Sequence, residues 1–430
     1  MNKALKSLTV LALVSSVASA GEEAKDLKKK IEDQAIYVET AKPGIVLSGY
    51  VDAGYQYSFT GGGTTSGSNR FGGDRTASGG RFDLNAAKIA LEKPLSTKNE
   101  FTAGFRVDGM VGNDVSNGIV GSQSSSTGSS SFGVEQAYVQ FRAPVGNGLD
   151  FKVGKFVTIL GYEVIERPAN LNISYSNVFQ NLIPLTHTGV LAAYKFNDLV
   201  DAKFGIVNGG LSDNTTNTNV TGLNGTSIKS GSTGFLGAVN LTAPGGNANI
   251  QNAAFVGINE TSAGAAGTTT NTSGITSGGG NQANTLWIYD ITGSWKPKFA
   301  GDKLTLGVEG DLGQYTQASV TAKNSDTTTW GGAAVYSKYQ FTKIFALADR
   351  VDWIHTDDGG KFNSTFASSD LYSETLTAEF DVWENMLLRA EYRLDWGDDV
   401  VSTNGGTGIG GVSTSKGPAH LVNLEVVYSF

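Results

Sequence analysis

From Ile45 to the C-terminus the chain repeats one rhythm: short alternating segments separated by breakers whose lengths themselves alternate. The short breakers are 94–99, 144–148, 198–199, 243–251, 298–302, 342–343 and 384–385. The long ones are 60–81, 112–132, 159–187, 209–233, 260–284, 316–328, 356–370 and 398–418. A segment of about 10 alternating residues is what a tilted strand needs to cross a bilayer. Seven short and eight long connections predict about 16 antiparallel strands with both chain ends on the short-turn side. Membrane barrels show this asymmetry, with an even strand count, short periplasmic turns and long outer loops. Sandwiches and jelly rolls have connections of mixed length and no membrane to sort them. The expected fold class is therefore all-β, a transmembrane antiparallel β-barrel.

Within the segments the two faces differ. Phe101, Ala103, Phe105, Val107 and Val111 share one side of 100–111, with Arg106 and Asp108 on the other. Leu304, Leu306, Val308 and Leu312 oppose Glu309 and Asp311, and Leu388 to Trp396 oppose Arg389, Glu391, Arg393 and Asp395. Arg or Lys at mid-bilayer costs roughly 2–4 kcal/mol, so the charged side must face the lumen. Arg142, Lys152, Arg350 and Asp352 are placed there too. Trp295, Phe341, Phe345, Trp353, Trp383 and Trp396 gather toward strand ends, where interfacial girdles belong. One segment resists: the apolar face Phe345, Leu347, Val351, Trp353 also carries Asp349. Either the register slips there or Asp349 lies in a subunit contact.

The N-terminus reads as an export signal. Lys3 and Lys6 precede an apolar stretch from Leu8 to Val14, and Ala18-Ser19-Ala20 forms a cleavage site, so residues 1–20 are expected to be removed. Residues 21–43 are dense in charge and favour a periplasmic helix, a short plug or a frayed leader; the barrel is expected over 44–430. The final HLVNLEVVYSF places Val422, Leu424, Val426, Tyr428 and Phe430 on one face. A last strand ending in an aromatic residue resembles the signal read by the barrel-assembly machinery. The expected location is the bacterial outer membrane, in contact with its lipid.

The third outer loop, 159–187, differs from the Gly/Ser/Thr/Asn tracts around it: it holds little Gly, two Pro, and several aromatic and aliphatic residues. Long loops of such composition are functional rather than disordered. Folded into the lumen, it would place Tyr162, Glu163, Glu166 and Arg167 at a constriction, facing lumenal charges such as Arg106, Arg142, Lys152, Arg350, Arg389 and Arg393. The alternative is a loop packed over the mouth. The alternating charges of 389–395 suit either a field that orients solutes or ion pairs that stiffen a wet wall.

Other classes fit badly. The chain has no Cys, and its three His lie at the ends of different predicted strands, so neither a catalytic constellation nor a metal site is expected. No cofactor is expected either. A net charge of −8 disfavours nucleic acid as a partner.

Residues Gly154 to Phe196, in the order GKF…GYEVIE…SYS…IPLTHTG, resemble the OmpL-like β-barrel porin family, with weaker likeness through FDLNAAKIALEKPL and VEQAYVQFRAPVGNGLDFKVGKF. The resemblance implies a porin-type barrel and no residue-level assignment. The expected function is passive diffusion of small hydrophilic solutes and ions through a water-filled lumen narrowed by the third loop. The alternative is a structural or adhesive barrel with a plugged lumen and surface-displayed loops. A homotrimer, the usual state of 16-stranded porins, is the expected assembly.

Overall fold

The computed structural model describes residues 44–59, 79–116, 119–120, 132–208, 233–258, 285–317, 326–356, 369–397 and 418–430. The signal, the leader and most of the long loops fall outside them.

Sixteen strands form one closed barrel in which every strand pairs with its sequence neighbours and the first pairs with the last. They are β1 (Val46–Ser58), β2 (Gly79–Lys93), β3 (Thr102–Val111), β4 (Phe132–Ala143), β5 (Leu149–Val157), β6 (Thr186–Lys195), β7 (Val200–Asn208) and β8 (Thr233–Thr242). The second half is β9 (Ala248–Ile258), β10 (Thr285–Trp295), β11 (Leu304–Gln317), β12 (Asp326–Gln340), β13 (Phe345–Thr356), β14 (Ser369–Trp383), β15 (Met386–Gly397) and β16 (Ala419–Ser429). All pairings are antiparallel, and closure leaves no edge whose backbone groups would face lipid unpaired. At the seam Gly49 and Phe430 exchange backbone hydrogen bonds of 2.9 Å in both directions, so the terminal aromatic residue is part of the closure.

The breakers fall where the sequence places them, with one turn tighter than expected. Strand β9 starts at Ala248 because Gly245 and Gly246 adopt φ of +94° and +71°, which concentrates the reversal and frees 248–251 to pair.

Side chains alternate as a membrane demands: Val308, Leu312, Val351, Leu376, Leu424 and Val426 are exposed on the outer wall. Arg350, Asp352, Arg389, Glu391, Arg393, Asp395, Glu309 and Asp311 are buried on the inner one. Aromatic rings pack at both rims, as in the Phe341–Phe345–Phe380 group by the short turns and the stacked Tyr372–Trp396 pair toward the long loops. Asp349 is not a register slip. Pairing of β13 with β12 and β14 runs without interruption, and Asp349 stands on the outer face with Leu347 and Val351. Glu374, on β14 opposite Val351, joins it there.

Two bulges alter the inner wall. Opposite Asp52 and Ala53 the register of β2 jumps from Ala86 to Leu84, and opposite Asp108 and Gly109 that of β4 jumps from Gln136 to Val134. Each extra residue, Asn85 and Glu135, is buried beside its buried successor, so two consecutive side chains turn inward.

Candidate functional site: the loop across the lumen

The connection from β5 to β6 enters the barrel. Its ends meet, since the Thr158 amide donates to the Leu185 carbonyl at 2.9 Å, and almost everything between is buried. Pro168 opens a single 3-10 turn at Arg167–Ala169. Ser176 caps the short helix α1 (Asn177–Leu182) by accepting from the Phe179 amide at 3.0 Å.

One flank of the loop is apolar. Leu160, Val178, Phe179, Leu182, Ile183 and Leu185 share one buried cluster with inward residues of β6 to β10, among them Leu191, Val207, Leu236, Phe255, Leu286 and Ile288. Fully burying such side chains stabilises by about 1.5–3 kcal/mol each. Glycines on the inner wall make room: a Cβ on Gly307 would lie 2.3 Å from the Tyr162 ring, and one on Gly332 would lie 2.5 Å from Leu182. Gly307→Val is therefore expected to push Tyr162 off its seat and loosen the loop, seen as faster proteolysis within 159–185 while the barrel stays folded.

The other flank is polar and meets β13 to β15. Arg350 donates to Glu163 at 2.7 Å and also to the Ser174 and Tyr175 carbonyls. Arg389 donates to the carbonyls of Asn170 and Arg167 at 2.8 and 3.0 Å, and Arg393 to that of Tyr175 at 2.6 Å. Glu391 accepts from the amides of Ile173 at 2.6 Å and Ser174, and Asp352 from that of Asn177 at 2.9 Å. Asp395 pairs with Arg393 at 2.9 Å. The lumenal charges thus hold loop backbone, and each charge-assisted bond of this kind contributes more than a neutral one.

Three anchors complete the attachment. Tyr162 stacks on Tyr336 and donates its amide to Glu309, while the Gly161 amide donates to Asp290. Asp311 lies with Asp290 and Glu309 in a buried carboxylate group that receives these first loop amides. Glu166 reaches the opposite wall, where Lys88 pairs with it at 2.6 Å, with Glu135 at 2.9 Å and with Asp108 at 3.0 Å. The ammonium therefore sits among the three carboxylates of the other buried acidic group. Arg167 forks onto Asp114 of the second outer loop, stacks over Tyr175 and donates to the Ile173 carbonyl. Burial pushes the Glu166 carboxyl up, but Lys88 outweighs it and holds the group below its usual range. For Glu163 burial prevails over Arg350 and the carboxyl is raised.

The remaining predicted basic residues make their bonds elsewhere on the wall and its turns, not to the third loop. Arg106 is engaged by Asp108 and Glu92, Arg142 by Asp150, and Lys152 lies 4.7 Å over the Tyr138 ring. Lys88, Glu135 and Asp114, central to the anchoring, are not among the residues singled out from the sequence. Glu135 is brought inward by a bulge, and Asp114 sits in a loop, where no periodicity signals its direction.

A family model described as "Putative beta-barrel porin-2, OmpL-like" matches residues 44–430. Among curated proteins none matches the chain. Among solved structures, the outer-membrane channel DcaP of Acinetobacter baumannii superposes with a TM-score of 0.60 at 14% identity, covering 92% of this chain and 100% of its own. The anion-selective porin from Comamonas acidovorans gives 0.59 at 10% identity, with 90% and 99% covered. The trimer form of OmpT from Vibrio cholerae gives 0.54 at 12%, with 90% and 99% covered. At such identities these likenesses speak for the barrel fold.

Proposed function

Because the chain belongs to the OmpL-like β-barrel porin family and is an outer-membrane channel protein, we propose that it passes small hydrophilic solutes and ions by diffusion, with the third loop setting the size limit. The observation that carries this reading is the loop's attachment to β2, β10, β11 and β13–β15 at once, within a barrel wide enough to leave an aqueous channel. Tyr162, Glu163, Glu166 and Arg167 then act as the rigid framework of the constriction. Below it, toward the short turns, half-buried polar residues such as Lys152, Lys203, Asp201 and Asn240 supply a wet wall. No cofactor, energy input or catalytic step enters this scheme.

The same reading extends to the parts that fix the protein in place. Residues 1–20 direct export and are cleaved, 21–43 form a periplasmic leader, and the strand ending in Phe430 addresses the barrel to its assembly machinery. Asp349 and Glu374 stand on the outer wall between the aromatic rims, where bare lipid is a poor solvent for carboxylates. We assign this wall to the contact between subunits of a homotrimer.

A second reading has its own support. Arg350 and Arg393 are 0% exposed and Lys88 is 2% exposed, as in a plug rather than the lining of a pore. Single-channel recording of refolded Gly21–Phe430 separates the two. Discrete openings in triplet steps are expected of the porin trimer. A folded, heat-modifiable barrel silent at all voltages would mean a structural, plugged barrel.

A further inference from the structure

The protein is acidic overall, yet the wall of the short-turn vestibule carries an uncompensated positive patch. Lys152 on β5 and Lys203 on β7 flank β6 from its two sides: Lys152 is opposite Leu191, and Lys203 is opposite Ala193. Both point inward and are half-buried. Their cross-strand neighbours on the inner face, Gln140, Leu191, Ala193 and Ala238, offer no charge.

Most other charges nearby cancel in pairs: Arg142 with Asp150 at 2.6 Å, Arg106 with Glu92 at 3.3 Å, and Lys195 with Asp198 at 2.8 Å. Neither Lys152 nor Lys203 has an ion-pair partner among the described residues. Lys152 rests over the Tyr138 ring, which holds an ammonium in place without neutralising it. The two lysines repel each other, Arg106 adds to the repulsion at Lys152, and Glu92 and Asp108 attract it while themselves paired with Arg106 and Lys88. Asp201 attracts Lys203, but its carboxylate is already engaged by the Asn240 amide at 2.9 Å. With Glu92 and Asp108 already held by Arg106 and Lys88, the two ammoniums face one carboxylate that no cation pairs with among the described residues, Asp201, and the pair of lysines stays locally positive. Asp381 lies on β14, half the barrel circumference away. At a screening length of about 8 Å it does not reach the lysines.

We propose that Lys152 and Lys203 form an anion-attracting site in the vestibule, which makes the channel prefer small anions such as chloride and carboxylates although the protein itself is negatively charged. The site deepens the diffusion-channel reading and rests on it. A low-dielectric wall carrying one sign of charge concentrates the opposite ion along the path. Solutes entering or leaving below the loop pass within reach of both ammoniums.

The test is the zero-current potential across a planar bilayer in a KCl gradient, for the wild type and for Lys152→Glu/Lys203→Glu, with folding checked by heat-modifiability. The wild type is expected to show a reversal potential of the sign set by chloride, and the double variant to move to the sign set by potassium. A conducting wild type that prefers potassium, or a double variant with unmoved reversal potential, overturns the inference and leaves the channel reading intact. If the protein conducts nothing, the channel reading falls, and a second measurement decides the site. Amine labelling of the folded barrel, read by peptide mass spectrometry with and without citrate, then applies. Citrate protection of Lys152 and Lys203, above that of Lys298 in the short turn between β10 and β11, supports an anion site in a closed barrel; equal labelling overturns it.

Discussion

Replacing residues 160–184 by a short Gly/Ser turn is expected to raise single-channel conductance severalfold, toward that of an unobstructed 16-stranded barrel. The replacement is geometrically modest, because Thr158 and Leu185 already meet through a backbone hydrogen bond at the base of the loop. Its consequences are large. The side chains of Arg350, Arg389, Glu391 and Arg393 lose the backbone groups they now hold and turn to water, giving β13–β15 a charged, hydrated inner face. The facing wall loses its cover as well, leaving Leu191, Val207, Leu236, Phe255, Leu286 and Ile288 bare. The shortened barrel should therefore unfold at a lower temperature than the wild type while conducting more. Unchanged conductance would mean that the path is limited elsewhere, and the third loop would lose its assigned role.

The barrel itself was legible because a membrane imposes two periodicities at once, a two-residue alternation within strands and a long–short alternation between them. Both survive in sequence even where loops are low in complexity. Residues 386–397 illustrate the first: Arg389, Glu391, Arg393 and Asp395 are all buried on the inner face. Periodicity says which way a side chain points and nothing about what it meets there. From sequence these four read as lining water or one another, whereas three of them hold loop backbone.

Lys88 was hidden for a different reason. Strict alternation from Phe82 and Leu84, both exposed on the outer wall, would put Lys88 outside as well. The bulge at Asn85 reverses the parity, and the bulge at Glu135 aims a carboxylate at the ammonium. A one-residue insertion of this kind has no compositional mark. Asp349 shows the opposite case, since the oddity visible in sequence was real: the register holds and the charge does face outward.

The Lys88 cluster leads to a prediction in which the sign of a pH dependence is diagnostic. Lys88→Met retains most of the side-chain volume and removes the ammonium bonded to Asp108, Glu135 and Glu166. Removing one partner of a buried ionic group costs about 3–5 kcal/mol, and here Glu135 and Glu166 are left buried without their cation while Asp108 keeps Arg106. The variant should show a markedly lower midpoint of heat-induced unfolding at neutral pH, with the loop cleaved by protease at Glu166 and its neighbours. In the wild type, Glu166 is held below its usual range, so its contribution to docking is present at neutral pH. That contribution is lost only as pH falls below roughly 4, through the lowered value. In the variant the Glu166 contribution changes sign, whereas Glu163, raised in both proteins, adds the same acid-favoured slope to each. Glu166, left beside Glu135 and Asp108 without the ammonium, takes up a proton more readily in the docked state than in the released one, so acidification from neutrality should restore docking. Measuring the unfolding midpoint of both proteins between pH 7 and about pH 5 distinguishes this from simple damage. A variant that gains more on acidification than the wild type does places the loss in uncompensated charge. One equally weakened at both values would have lost packing instead, and the ion cluster would not be what holds the loop to this wall.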